Sequence, residues 1–339
     1  MPVSFNNRFI PSINPYTHCK RFVMFRHCAS NTNNPFILYL CDIIYSNRIV
    51  RIKNNTQIEG SQMFTKKISQ ILTDSSPIIE ASIYTPENTT KEAIIYLHGG
   101  GLVFGQRDDL PLAYIEAFTN AGHPVITLDY LLAPEVTLPT ILATLKQTLE
   151  KTIEILPSWG FSSDYALMGR SAGSYLAALL IKEGFTPKHL ISFYGYYTLD
   201  VPAFRQPNPQ YLVFPRVAPM EVEALIEQKP IVSGEMFKRY PIYLSGRQFG
   251  NWLPKILPSL RDVATFSLNE DTLKSFPPTI FVHSTQDSDV PYELSRMAST
   301  LVPTNQLITI EGNEHDFDRH ATPETLNVYQ AVITFLEEA

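Results

Sequence analysis

From Pro77 onward the sequence predicts an α/β protein with a mostly parallel central sheet covered by helices on both faces. Three observations carry this. Short continuous apolar runs such as Ala93-Ile-Ile-Tyr-Leu97 recur, and such a run suits a strand buried on both faces. Other stretches place apolar residues at three- and four-residue steps, as in Ile141, Leu145, Leu149, Ile153 and Leu156, which is the pattern of a helix with one buried face. The two kinds of segment alternate along the chain, and parallel strands need such crossovers.

The elements follow in order. Ile78 to Tyr84 alternates as a strand, and Ala93 to Leu97 forms the next. A helix spans roughly Leu112 to Asn120, followed by the strand Val125 to Asp129 and the amphipathic helix bearing Ile141 to Leu156. Tyr165 to Met168 reads as a buried strand and Tyr175 to Ile181 as an apolar helix. Then come the strands Leu190 to Tyr194 and Thr279 to His283, a helix around Glu293 to Leu301, the strand Gln306 to Ile310, and a last helix with Leu326, Tyr329, Ile333 and Leu336 on one face. Between Tyr197 and Ser275 the alternation breaks, in a stretch rich in proline and in aromatics such as Phe204, Tyr211, Tyr243 and Trp252. An insertion of that size between two core strands is expected to be a helical cap or lid, about 197–275, that walls a binding site. A helical subdomain with its own core is the plainer reading, and the two are compatible.

Residues 1–62 differ from the rest. They carry seven Lys or Arg and two acids, a net +5 that leaves -11 for residues 63–339 out of -6 overall. Three readings compete for this N-terminal extension: a cap element, a disordered or targeting segment, or sequence upstream of a true start at Met63. After Met63, the apolar residues Phe64, Ile68, Ile71 and Leu72 fall at helical spacing. A chain beginning at Met63 is expected to stay soluble and active.

Net charge of -6 without a basic stripe argues against a nucleic-acid partner, since phosphate binding draws on clustered Lys and Arg. All three cysteines, Cys19, Cys28 and Cys41, precede residue 63, and their spacing suggests no zinc site. A cysteine-free body fits a reducing, cytoplasmic location. The most apolar run, from Pro35 to Tyr45, is too short to cross a membrane and is broken by Asp42. It also lies too far into the chain, without a small-residue cleavage site, for a signal peptide. No integral membrane segment is expected.

The stretch Gly169-Arg170-Ser171-Ala172-Gly173 stands between the buried strand and the apolar helix. A serine on so sharp a strand-to-helix turn projects its hydroxyl above the sheet, with Gly169 and Gly173 leaving room for the tight backbone. Ser171 is therefore the candidate nucleophile. The bland reading, a small-residue turn packing a helix on a strand, has equal weight until other motifs are added. His98-Gly99-Gly100-Gly101 directly follows the strand Ala93 to Leu97. Glycines in a row at a strand end cost backbone entropy, so their N–H groups are read as an oxyanion site acting with that of Ala172. A phosphate-binding loop is the weaker reading, because no Lys-Ser/Thr follows and no Gly-x-Gly-x-x-Gly is present.

A serine nucleophile needs a base from a loop at the carboxyl end of the sheet. His315 follows the strand Gln306 to Ile310 and is the candidate, with His320 a minor rival; His283 lies inside a strand and reads as core. Asp287 stands first in the loop after Thr279 to His283 and is the candidate acid, with Asp289 second. Its carboxylate would hold the imidazole tautomer and stabilise the imidazolium.

With these motifs in the order Ser171, Asp287, His315, the chain from about Pro77 resembles the α/β-hydrolase superfamily. More narrowly it resembles the hormone-sensitive-lipase-like acetyl esterase/lipase group, which has Asp-Tyr-Arg-Leu-Ala-Pro-Glu where this chain has Asp129-Tyr-Leu-Leu-Ala-Pro-Glu135. The resemblance implies that Gly100, Gly101 and Ala172 supply the oxyanion N–H groups and that His98 is structural. It also implies a small-molecule carboxylic ester substrate, usually with a short acyl chain, and no cofactor or metal. Two departures stand out: Leu131 replaces the group's arginine, and Arg170 replaces an acid beside the nucleophile. A cation at 170 is expected to favour an anionic or acetylated sugar substrate. An amidase or formamidase would share every residue named, and a non-catalytic ligand-binding homologue is the more distant alternative. Aromatics of the insertion suit a lid or a homodimer face equally.

Overall fold

The structure, a computed structural model, describes residues 64–72, 74–88 and 91–339. Eight strands, β1 (Phe64–Leu72), β2 (Ile79–Pro86), β3 (Ala93–Leu97), β4 (Val125–Leu128), β5 (Tyr165–Arg170), β6 (His189–Phe193), β7 (Thr279–Ser284) and β8 (Asn305–Ile310), form one sheet in the order β1-β2-β4-β3-β5-β6-β7-β8. The β1/β2 and β2/β4 pairs are antiparallel, and every pair from β4 to β8 is parallel. Strands β3 to β7 are buried along their whole length, which is why they read as continuous apolar runs.

Side chains alternate between the faces. Ile94 and Tyr96 of β3, Ala166 and Met168 of β5, Ile191 and Phe193 of β6, and Ile280 and Val282 of β7 all enter one core cluster. Helices α1 (Leu112–Asn120) and α6 (Pro323–Glu338) pack on one another and contribute Tyr114, Phe118, Tyr329 and Ile333 to that cluster. Tyr114 and Tyr329 stack with ring centroids 3.7 Å apart. Helix α3 (Ala172–Lys182) packs on β3, β5 and β6 and is touched by α2 (Leu138–Ile155). Residues 172–180 of α3 are buried on every side, so the helix is apolar all round.

The stretch after residue 63 is a strand, not the helix its spacing predicts. Four apolar residues at helical steps were too weak a signal beside the pairing that the edge of β2 offers. β1 runs antiparallel to β2 from Phe64 opposite Pro86 to Leu72 opposite Ile79, with an irregularity between Gln70 and Leu72. Only Phe64 and Ile71 bury themselves, while Ile68 is 52% exposed. Residues 1–62, the three cysteines and the expected start at Met63 lie outside the described residues.

Between β6 and β7 the chain forms short helical turns at Pro202–Arg205, Pro209–Leu212 and Pro219–Glu223, helix α4 (Met236–Gln248), and further turns at Leu253–Ile256 and Glu270–Lys274. Helix α5 (Glu293–Leu301) then joins β7 to β8 and packs on both. Arg239 fastens α4 to the loops that follow β3 and β4. Its Nη1 and Nη2 each donate to the Glu135 carboxylate at 2.7 Å, and its Nε donates to the Val103 carbonyl at 2.7 Å. The Ala-Pro-Glu end of the 129–135 motif is thereby tied to the insertion, while Leu131 is simply buried. Among the described residues no helix is long and apolar enough to cross a membrane.

Candidate active site

The carboxyl ends of β3, β5, β7 and the loop after β8 meet at one place. Ser171 follows the last residue of β5 with φ 52° and ψ -117°, a conformation that side chains other than glycine rarely adopt. Its backbone N–H is held by the Phe193 carbonyl of β6 at 2.9 Å. Gly169 and Gly173 face each other across the turn: a Cβ on Gly169 would lie 2.2 Å from the Gly173 carbonyl carbon. A Cβ on Gly173 would lie 2.0 Å from the Leu97 carbonyl oxygen, so the turn also needs glycine to seat against the end of β3.

The glycine turn after β3 lies against this elbow. A Cβ on Gly99 would stand 3.0 Å from the Arg170 carbonyl oxygen and 3.5 Å from the Ser171 Cβ. Gly100 and Gly101 hold φ of 106° and 59°. Among the described residues no acceptor is bonded to the N–H of Gly100, Gly101 or Ala172. His98 stacks on Tyr130 with centroids 4.1 Å apart, and its Nδ1 lies 2.7 Å from the Gly99 carbonyl. Burial lowers its pKa to about 4, so the ring is a neutral support of the turn.

His315 Nε2 lies 2.8 Å from Ser171 Oγ, and its Nδ1 lies 2.6 Å from Asp287 Oδ2. Asp287 Oδ1 accepts from the N–H groups of Asp289 and Val290 at 2.8 and 3.0 Å. Burial alone pushes the Asp287 carboxyl up, yet the His315 imidazolium and the hydrogen bonds from His283 and His315 hold it well below the usual range. Burial likewise pulls His315 down, and the Asp287 carboxylate overrides it and raises the histidine above its ordinary 6.5. Asp289 does not take the acid's place. It accepts from Tyr243 Oη at 2.8 and 2.9 Å, pairs with Arg247 at 3.0 Å and stays 3.9 Å from His315 Nε2. The place beside Ser171 Oγ is taken by His315, while the His320 carbonyl accepts from Tyr114 Oη at 3.1 Å.

Two residues stand differently from their reading in the sequence. Arg170 does not face a substrate. It is buried beneath the elbow, Nε donating to Tyr194 Oη at 2.7 Å and Nη2 to Asp318 at 3.0 Å, so the expected preference for an anionic substrate loses its basis. The charge reversal beside the serine is answered by Asp318, which also accepts from Tyr194 and Tyr329 at 2.6 and 2.7 Å. Tyr194 in turn sets its ring edge-on to His315 at 4.7 Å. Because Asp318 is wholly buried, Asp318→Ala strands the guanidinium and is expected to cost about 3–5 kcal/mol in urea unfolding. A loss under about 1 kcal/mol would mean that the pair contributes little. His283 is indeed buried in β7, but its Nε2 also lies 3.1 Å from Asp287 Oδ2, a link that strand periodicity cannot reveal.

The acid–base–serine geometry on a parallel sheet, with the nucleophile at a strand-to-helix elbow, is the arrangement of the α/β hydrolases. The family model BD-FAE matches residues 81–301, and the chain belongs to that family. The match takes in Ser171 and Asp287 and ends before His315. A relative named probable carboxylesterase M8, from Phoma sp., is 26% identical over 74% of this chain and 88% of its own length. An acetyl esterase of Salmonella paratyphi B is 29% identical over 36% of this chain and 40% of its own length. A solved α/β hydrolase superfamily protein from Enterococcus faecalis is 29% identical, with a TM-score of 0.72, covering 81% of this chain and 99% of that one. These place the chain in the esterase group of the superfamily.

Proposed function

We propose that this protein is a serine carboxylesterase that hydrolyses short-chain, acetyl-type esters through an acyl-enzyme intermediate. The observation that carries the reading is the continuous line from Ser171 Oγ through His315 to Asp287, at 2.8 and 2.6 Å. Ser171 attacks the ester carbonyl as His315 Nε2 takes its proton. The oxyanion that forms receives the N–H groups of Gly100, Gly101 and Ala172. Nε2 then gives the proton to the departing alkoxide, which leaves as the alcohol. Water attacks the acyl-serine, again losing a proton to Nε2, and the proton returns to Oγ as the acid departs. The relatives named for acetyl and carboxyl esters support the substrate class. The cysteine-free composition of residues 63–339 supports a cytoplasmic location.

The test is hydrolysis of p-nitrophenyl esters from acetyl to dodecanoyl, beside a p-nitroanilide. Expected is turnover of the shortest chains with kcat/KM falling as the chain lengthens. Silence on all esters with turnover of the amide would transfer the same residues to an amidase. Only neutral His315 can accept the serine proton, so kcat/KM should rise with pH through the histidine's pKa and then level. Since Asp287 raises that pKa, the midpoint should lie above 6.5. A midpoint well below 6.5 in a stopped-flow pH profile would contradict the coupling.

A further inference from the structure

His283 occupies a place that a purely structural strand residue would not need. It is wholly buried, and its Nε2 lies 3.1 Å from both Asp287 Oδ2 and the Val290 carbonyl. Both partners only accept, so the proton stands on Nε2. Nδ1 then accepts from Ser295 Oγ on α5 at 2.8 Å. Among the described residues the other ring facing it is Tyr292, edge-on at 5.9 Å. Asp287 Oδ2 is thus shared between two imidazoles, His315 at 2.6 Å and His283 at 3.1 Å, while Oδ1 takes two backbone N–H groups. Four donors satisfy the four lone-pair directions of a carboxylate and leave it no freedom to rotate.

We propose that His283 is a positioning residue that acts through Asp287: its Nε2–H holds the carboxylate plane on His315 and takes up part of its negative charge, with Ser295 fixing the tautomer. The proposal rests on the catalytic reading of Ser171, His315 and Asp287 given above. Its chemical content is specific. Removing the donor should loosen the orientation of His315 and lower kcat, with KM unchanged. It should also leave a more basic carboxylate, which holds the His315 imidazolium more firmly and raises the histidine's titration midpoint. The other groups facing His315 are Ser171, the Tyr194 ring, Asp289 and Asp316, and none of them changes.

Two amides of similar polarity separate the role from mere packing. Glutamine in His283→Gln carries its N–H about as far as Nε2, whereas His283→Asn reaches only as far as Nδ1. On the full-length protein, kcat and KM for p-nitrophenyl acetate are measured beside the melting temperature. The His315 titration is followed through its downfield Nδ1–H proton resonance, which needs no substrate. His283→Gln is expected within about threefold of wild type, and His283→Asn about ten- to a hundredfold lower in kcat, with a raised midpoint. Equal behaviour of the two variants, or a kcat loss with an unmoved midpoint, would overturn the proposal. Should His283→Asn fail to fold, Ser295→Ala replaces it: loss of the tautomer lock should lower kcat and raise the midpoint to a smaller degree, and no change in either overturns the assignment. Wild-type protein that turns over no ester and takes no fluorophosphonate label sinks the esterase reading and the role of His283 together. An active wild type with indifferent His283 variants sinks only the latter.

Discussion

Ser171→Ala is expected to lower kcat on p-nitrophenyl acetate by about a million-fold while leaving the melting temperature close to that of wild type. The size follows from what is removed: without Oγ there is no acyl-enzyme, and His315 Nε2, 2.8 Å from that atom, has no proton to take. His315→Ala should cost about as much, and the double variant no more than either, because the two groups act as one unit. A residual rate above that of water is expected in all three from the oxyanion N–H groups. Ser171→Ala retaining more than a hundredth of wild-type kcat would remove the serine mechanism altogether, leaving the elbow as a packing device.

Asp287→Asn is the second large effect, about ten-thousand-fold in kcat with little change in KM. The amide is nearly the same shape, so the loss isolates charge and proton placement. The carboxylate accepts from His315 Nδ1 at 2.6 Å and from His283 Nε2 at 3.1 Å. An asparagine that turns its NH₂ toward His315 forces the imidazole proton onto Nε2, where it faces the serine and blocks proton transfer. The same change removes the charge that raises the His315 pKa, so whatever activity remains should titrate at lower pH. If Asp289→Asn were the more damaging of the two, the acid would have to be reassigned to that position, despite its engagement with Tyr243 and Arg247.

Local signals foretold most of this arrangement. The elbow is written in five neighbouring residues, and Gly169 and Gly173 are glycine for reasons of contact that act across a single turn. The buried strands announce themselves because both their faces are covered. What escaped was whatever depends on a partner far along the chain. Arg170 reads as a cation offered to the substrate, because its partner Asp318 lies 148 residues later in the chain. His283 reads as core because nothing in a strand pattern tells which loop atom its far nitrogen meets. β1 carries helical spacing yet forms a strand, since its partner strand, not its own spacing, decides its form. Arg239 and Glu135, 104 positions apart, pair without any local pattern to mark them.

The order of strands along the chain governs when the three side chains can first meet. The serine belongs to β5, while the acid and base must wait for β7 and for the loop after β8, the edge strand. Bringing Ser171 to His315 closes a loop of 144 residues, an entropic cost of roughly 4 kcal/mol that one hydrogen bond cannot offset. Docking of β7 and β8 on the sheet has to do it instead. Until β8 and the loop after it have docked, Ser171 has no base within reach, so regain of esterase activity on refolding is expected to report the docking of β8 and not the collapse around β3 to β6.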